Sequence, residues 1–246
     1  ADLADNGSNT LSATQADVAG NVSSAATLAL TTDLVAPTAP TITAVSTDDL
    51  LNNTENSNGF DLTGTGEVGA TVTVSGFESG VANKTATVDS NGDWTIAIVD
   101  ADLADNGSNT LSATQADAAG NVSSAATRTV TTDLATPAAP VINAVSTDDL
   151  LNNAENSNGF DLTGTGEVGA TVTVSGFESG VADKTATVDS NGDWTIAIAD
   201  ADLSDNGSNT LSATQADAAG NVSSAATRAV ATDLVTPAAP VINAVS

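Results

Sequence analysis

The sequence contains no cysteine, histidine, methionine or tyrosine, and its only basic residues are Lys84, Arg128, Lys184 and Arg228. Each absence removes a class of chemistry. Without cysteine there are no disulfides, so a chain working outside the cell would need another staple. Without cysteine or histidine, zinc and copper lose their preferred ligands. Four cations against 31 carboxylates give a net charge of −27. That balance speaks against nucleic acid, whose phosphates are bound by clustered Lys and Arg, and against anionic membrane surfaces. No apolar run approaches the ~20 residues that cross a bilayer, so direct membrane insertion is not expected. The opening ADLADNGSNT has neither the basic nor the apolar region of a signal peptide. What remains is an abundance of hard oxygen ligands, which suit calcium. So much like charge also opposes a compact state unless cations offset it.

The second feature is repetition. The string ADLADNGSNTLSATQAD begins at Ala1, recurs from Ala101, and returns from Ala201 with Ser204 in place of Ala104. The period is 100 residues. Proline pairs at Pro37 and Pro40, and at Pro137 and Pro140, interrupt regular pairing and favour extended connections. They phase the repeats as 36–135 and 136–235. In that phase residues 1–35 are a C-terminal fragment carrying the last two strands of a repeat, and residues 236–246 are the first strand of another. The chain reads as a window on a longer array. The two full repeats differ at 11 of 100 positions, as recent duplication would leave them.

Within a repeat the hydrophobic period is two. Trp94, Ile96 and Ile98 alternate with Thr95 and Ala97, and Val72 and Val74 with Thr71, Thr73 and Ser75. Such alternation marks half-buried strands. Turn residues able to take φ > 0 separate the runs, among them Asn58-Gly59, Asn91-Gly92 and Gly120-Asn121. The expected strands are A at 40–46, B at 59–64, C at 70–77, D at 84–89, E at 94–99, F at 109–117 and G at 123–131. Helical spacing is nowhere sustained, and Asp48–Leu51 has room for one turn at most. The fold class is all-β: tandem immunoglobulin-like β-sandwiches of about seven strands each. Phe60, Phe77 and Trp94 supply the large core side chains. Arg128 matches Leu28 one period earlier, so that site is expected to be half-exposed, on an edge strand.

Strand order in an immunoglobulin sandwich places the B–C, D–E and F–G loops at the end where strand A enters. Glu67 and Asp117 then lie beside Asp33, and Asp133, Glu167 and Asp217 repeat the set. Three converging carboxylates with no basic residue nearby in sequence point to a hard cation taking about 6–8 oxygens, calcium by preference. The opposite end gathers Asp48, Asp49, Asp100, Asp102 and Asp105, and in the next repeat Asp148, Asp149, Asp200, Asp202 and Asp205. These are candidates for a further cation or for solvated loop acids. Asp89, Asn91 and Asp93 copy the start of an EF-hand loop, but the spacing then fails and an Asn-Gly hairpin turn explains them. Paired carboxylates are also the tools of glycosidases, yet nearly every acid here recurs at the repeat period and no aromatic groove is evident, so no enzyme is expected. Lys84 is expected as an isolated surface lysine, with an isopeptide cross-link as the alternative.

Four strings resemble a known family. Gly64-Thr-Gly-Glu-Val-Gly-Ala-Thr-Val-Thr-Val74 is similar to the B–C region of bacterial Ig-like repeats, Asp89-Ser-Asn-Gly-Asp-Trp-Thr95 to their D–E turn, and Asp117-Ala-Ala-Gly-Asn-Val-Ser123 to their F–G turn. Thr132-Asp133 with Pro137 and Pro140 resembles their linker. Val68 stands where the family often has proline. Such repeats form the extender regions of giant calcium-dependent RTX-type adhesins, of the biofilm or ice-binding kind. The resemblance implies an extracellular spacer on a bacterial cell surface, stiffened by calcium at repeat junctions. Its partners would be neighbouring repeats of the same chain, with the ligand bound elsewhere in the parent protein. The competing readings are a repeat that itself binds glycan, protein or ice, and a subunit of an extracellular filament.

Overall fold

The computed structural model describes residue 3 and residues 6–241. The strand expected in 236–246 therefore lies outside the described residues from 242 onward, and 236–241 carry no strand. The chain divides into two compact units, Ala1–Asp133 and Leu134–Ser246.

The first unit opens with a hairpin of β1 (Gly7–Ala13) and β2 (Ala26–Thr32). Then follow β3 (Leu50–Leu51), α1 (Asn53–Asn58), β4 (Phe60–Thr65), β5 (Thr71–Ser75) and β6 (Lys84–Thr87). After them come β7 (Asp93–Ile98), a 3-10 turn at Asp100–Asp102, β8 (Gly107–Ala116) and β9 (Ala126–Thr132). One sheet has the order β3-β9-β8-β5-β6, and the other pairs β4 with β7. The segment at 41–43 joins β4 through Thr41 N–H to the Thr65 carbonyl at 2.8 Å and Thr43 N–H to the Thr63 carbonyl at 2.8 Å. Expected strand A is thus a short ladder in this repeat. The strand at Lys84–Thr87 lies beside β5 and not in the β4–β7 sheet.

The second unit repeats this plan. Its elements are β10 (Val141–Ile142), β11 (Leu150–Asn152), α2 (Asn153–Ser157), β12 (Phe160–Thr165), β13 (Thr171–Ser175) and β14 (Lys184–Thr187). They continue with β15 (Asp193–Ile198), a 3-10 turn at Asp200–Asp202, β16 (Ser208–Ala216) and β17 (Ala226–Asp233). Its sheets are β10-β12-β15 and β11-β17-β16-β13-β14.

Alternation places Leu62, Val72, Val74, Trp94, Ile96 and Ile98 inside, and the same residues one period on build the second core. Phe60 and Phe77 pack against the first core only partly buried, while Trp94 is its largest fully buried side chain. Gly64 and Gly66 are needed for space. A Cβ on Gly64 would stand 1.9 Å from the Thr41 carbonyl oxygen, and one on Gly66 would stand 2.4 Å from Gln115 Oε1.

Two elements differ from the periodicity reading. The one turn expected at Asp48–Leu51 lies earlier, between Val45 and Asp49, closed by Asp49 N–H to the Val45 carbonyl at 3.0 Å, and Leu50 and Leu51 run parallel to Thr131 and Thr132 as a short strand. The helix α1 follows, where none was expected. It is set by a capping box: Asn52 Oδ1 accepts from Thr54 N and Glu55 N at 2.9 Å, and Glu55 Oε2 accepts from Asn52 N at 3.1 Å. The helix then stops at Gly59, whose φ of 68° suits glycine.

Candidate functional site

The entrance end of the first unit is organised by Gln115 on β8. This side chain is 1% exposed. Its Oε1 accepts from Glu67 N at 2.9 Å, and its Nε2 donates to the Thr38 carbonyl at 2.7 Å. One buried amide therefore ties β8, the turn after β4 and the proline segment together. Pro37 and Pro40 are themselves buried, so that segment is packed onto its repeat. Gln215 repeats both bonds, to Glu167 N and to the Ala138 carbonyl. The sequence signal for it is register: Gln115 falls on the same period-two face as the buried Leu111 and Ala113, although its polarity reads as outward.

Asp117 closes the next turn. Its Oδ1 accepts from Ala119 N and Asn121 N, both at 2.9 Å, and its Oδ2 accepts from Asn121 Nδ2 at 2.8 Å. The Asn121 side chain, followed by its backbone N–H and those of Ala119 and Gly120, holds the Asp117 carboxyl below its ordinary pKa. Asn121 Nδ2 also donates to the Asp33 carbonyl at 3.0 Å, and Asp33 Oδ1 accepts from Val35 N at 3.1 Å. The turns carrying Asp33, Glu67 and Asp117 therefore come together within this unit. Their carboxylates do not: among the described residues no three or more acidic groups gather as a metal-binding set. The donor chemistry nonetheless fits a hard cation. Asp117 Oδ2 accepts a single hydrogen bond, the Glu67 side chain is exposed, and a carboxylate offers about four lone-pair positions.

In the second unit Asp217 makes the same turn, with Asn221 N on Oδ1 and Asn221 Nδ2 on Oδ2, each at 2.9 Å. Asp133 N donates to the Leu51 carbonyl at 2.9 Å, which continues the β3–β9 ladder of the first unit.

The other end of the repeat is less available to a cation than its composition implied. Asp49 is paired with Arg128: Nε donates to Oδ1 at 2.7 Å and Nη2 to Oδ2 at 2.5 Å. This guanidinium is the main cause of the lowered Asp49 pKa. Asp102, 5% exposed, is paired with Lys84 and also accepts from Val99 N at 2.7 Å. Lys84 is therefore no isolated surface lysine: it also donates to the Ala97 carbonyl at 3.1 Å and lies 5.7 Å from the centre of the Phe77 ring. Asp100 accepts from Asn56 at 2.5 Å, and Asp48 from Ser46 and Leu50 N at 3.1 Å. Asp105 is exposed and borders a shallow depression of about 430 Å³ with Glu78 and Asp100. Asp149 with Arg228, and Asp202 with Lys184, repeat the two ion pairs. Asp148 again accepts from Ser146 and Leu150 N at 3.2 Å, Asp200 from Asn156 at 2.5 Å, and Asp205 borders the matching depression. Asp89 accepts from Asn91 N at 2.8 Å and Asp93 N at 3.0 Å, so it closes the expected hairpin turn.

Two copies of one sandwich, each with its own core and its own ion pairs, define a tandem immunoglobulin-like protein. The comparisons give the family: residues 36–132 and 136–233 each match the bacterial Ig domain, and the chain belongs to that family. Among solved structures it is similar to a Ca2+-stabilized adhesin that helps an Antarctic bacterium reach out and bind ice, at 30% identity and a TM-score of 0.46. That similarity covers 92% of this chain and 57% of the other, so the chain spans little more than half of the solved protein. It is also similar to a 1.5-MDa bacterial ice-binding adhesin, at 26% identity over 92% of this chain and 74% of that one, with a TM-score of 0.47. A tetra-tandem repeat from the extending region of a large adhesion protein shares 22% identity over 92% of this chain and 57% of that one, with a TM-score of 0.35. The search of curated proteins gave no match.

Proposed function

We propose that these repeats are a structural spacer of an extracellular bacterial surface adhesin, and that calcium stiffens the junction at which a repeat begins. The observation that carries the spacer reading is where the repeats differ. All 11 substituted positions are exposed or half-buried in both copies, and none is buried. The core is thus kept while the surface changes from copy to copy without a focus. A binding array would instead hold one surface patch fixed and let the remainder change.

Calcium enters on the chemistry of the entrance end. Asp33, Glu67 and Asp117 would supply hard oxygens, and the bonds Gln115–Thr38 and Asn121–Asp33 already bring their backbones together. A bound cation would draw in carboxylates that otherwise keep apart by like-charge repulsion. A site filled to 100-fold over its Kd adds about 2.7 kcal/mol to folded-state stability. Melting of the full chain with calcium and with a chelator tests this: the melting temperature is expected to fall on chelation, and Asp117→Ala to reduce that fall. Identical curves in both conditions would end the calcium reading. Small-angle scattering tests the stiffening itself, since the maximum dimension should shrink and its distribution broaden on chelation.

A further inference from the structure

We propose that each repeat carries a mechanical clamp, formed where the short strand before its helix runs parallel to its last strand and locked by the arginine of that last strand. The inference takes its purpose from the spacer reading, because a spacer transmits pull from one end of the repeat to the other. Load enters through the segment before Thr41 and leaves through Thr132 and Asp133. The entering segment is first held to β4 through Thr41 and Thr43; the next strand along the chain, β3, runs parallel to the departing strand β9, with Leu50 opposite Thr131 and Leu51 opposite Thr132. In a parallel pair the chain entering one strand and the chain leaving the other depart in opposite directions. A pull therefore slides the strands past each other and loads their bonds together. The antiparallel pair β8–β9, with Gly107 opposite Thr132, would open one rung at a time if pulled at that shared end.

The bonds in the sheared patch are few and well placed. Thr131 N donates to the Asp49 carbonyl at 2.8 Å, and Asp133 N to the Leu51 carbonyl at 2.9 Å. Arg128 adds the side-chain lock. It sits on β9 and grips Asp49, the residue just before β3, with two parallel hydrogen bonds, the strong geometry for a guanidinium and a carboxylate. Its Nη1 donates to the Ile42 carbonyl at 3.2 Å, so the same side chain also holds the entering segment. Asp49 is fixed from the other side, because its Oδ1 accepts from Val45 N at 2.9 Å. The second unit repeats the set with Arg228, Asp149 and the Ile142 carbonyl, and β11 runs parallel to β17 over Leu150–Asn152. Lys84 and Asp102 form an ion pair that lies on neither β3 nor β9. Residue 28 of the opening hairpin, at the position of Arg128, is leucine.

Single-molecule pulling on the full chain, held by its two ends, tests the clamp. Forced unfolding is governed by the unfolding rate. The R128L/R228L chain is expected to unfold about ten-fold faster at constant force than the parent, because the removed bonds lie across the barrier to sliding. The K84M/K184M chain is expected to keep the parent rate under load even where its melting temperature falls. Equal rates for the parent and the arginine variant would overturn the proposal, and so would an equal acceleration by the lysine variant. If the arginine variant does not fold, pulling geometry decides. The chain has no cysteine, so handles placed by Ser108→Cys and Asp133→Cys are unique. This geometry peels β9 from β8 and should unfold the repeat at several-fold lower force than end-to-end pulling; equal forces would overturn the clamp. No ligand enters these measurements, so a ligand found to bind the repeats would displace the spacer reading and leave the clamp result standing.

Discussion

The substitution Gly64→Ala adds one methyl at the most crowded point of the first sandwich. Its Cβ would lie 1.9 Å from the Thr41 carbonyl oxygen and 2.6 Å from Trp94 Cζ2. Neither neighbour can retreat freely. Thr41 is held to β4 by its own N–H, and Trp94 is 2% exposed with its Nε1 on the Thr65 carbonyl at 3.3 Å. The methyl must push the entering segment off β4 or tilt the indole within a close-packed core. Overpacking of this kind costs about 1–3 kcal/mol or more, and about 1 kcal/mol moves the midpoint of a domain of this size by some 4–8 °C. The first repeat should therefore melt about 10 °C or more below its parent. The second repeat, with Gly164 in the same surroundings, serves as an internal control. Scanning calorimetry of the full chain should show one broad transition split into two. Fluorescence in a Trp194→Phe background, where Trp94 reports alone, should follow the lower one. A single unsplit transition at the parent temperature would refute the packing account of Gly64.

Acid should act through Asp49 and Asp149. Their folded-state pKa values are depressed, chiefly by Arg128 and Arg228. The stability they contribute is therefore fully present above the unfolded carboxylate value of about 3.9 and is lost as pH falls through the lower folded value. Urea midpoints measured from pH 6 down to pH 2 should show this loss in the parent, and R128L/R228L should flatten that part of the curve. Gln115→Ala removes a buried amide and leaves the Glu67 N–H and the Thr38 carbonyl without their partner. It should destabilise by about 1–3 kcal/mol and raise hydrogen exchange at Glu67 first; unchanged exchange there would show that the Gln115 amide does not protect that N–H. Asn52→Ala removes the cap of α1 and should lower the denaturant midpoint of the first repeat by the equivalent of about 1 kcal/mol.

The sandwich was legible because its strands obey a period of two and its turns announce themselves, so Val72, Val74, Trp94, Ile96 and Ile98 point inward as their alternation requires. The helix α1 was missed because six residues are too few for a helical hydrophobic stripe. Its true signal was the pair Asn52 and Glu55, three apart and reciprocal. The parallel β3 strand was missed for a similar reason, since two leucines cannot display alternation. At the acidic end, counting charges pointed to a cation. What the count could not reveal was that Lys84 and Arg128, remote in sequence from Asp102 and Asp49, fold back onto them. The turns at the entrance end were brought together as strand order implied, whereas the buried amide that joins them belongs to Gln115, which shares the inward face of Leu111 and Ala113 but whose polarity reads as outward.

The strand GSNTLSA occurs three times, in β1, in β8 and at 207–213 across β16. Each copy is joined by a short connection to a final strand in the same register, Ala13 opposite Ala26 and Ala113 opposite Ala126. A folding chain therefore holds several interchangeable partners for any one β5-type edge, the condition under which neighbouring repeats misassemble. The protection lies in order of events. The turn fixed by Asp117 closes a loop of about a dozen residues, which forms far sooner than any pairing across a hundred. Each hairpin is thus complete before its sheet recruits it, and the nearest one arrives first. Arg128 then distinguishes it from the leucine-bearing hairpin, because only an arginine at that place satisfies Asp49. Local closure is what lets one sequence recur along a chain without its copies exchanging strands, and the charge check adds protection against the leucine-bearing hairpin alone, since Arg228 stands at the same place one repeat on.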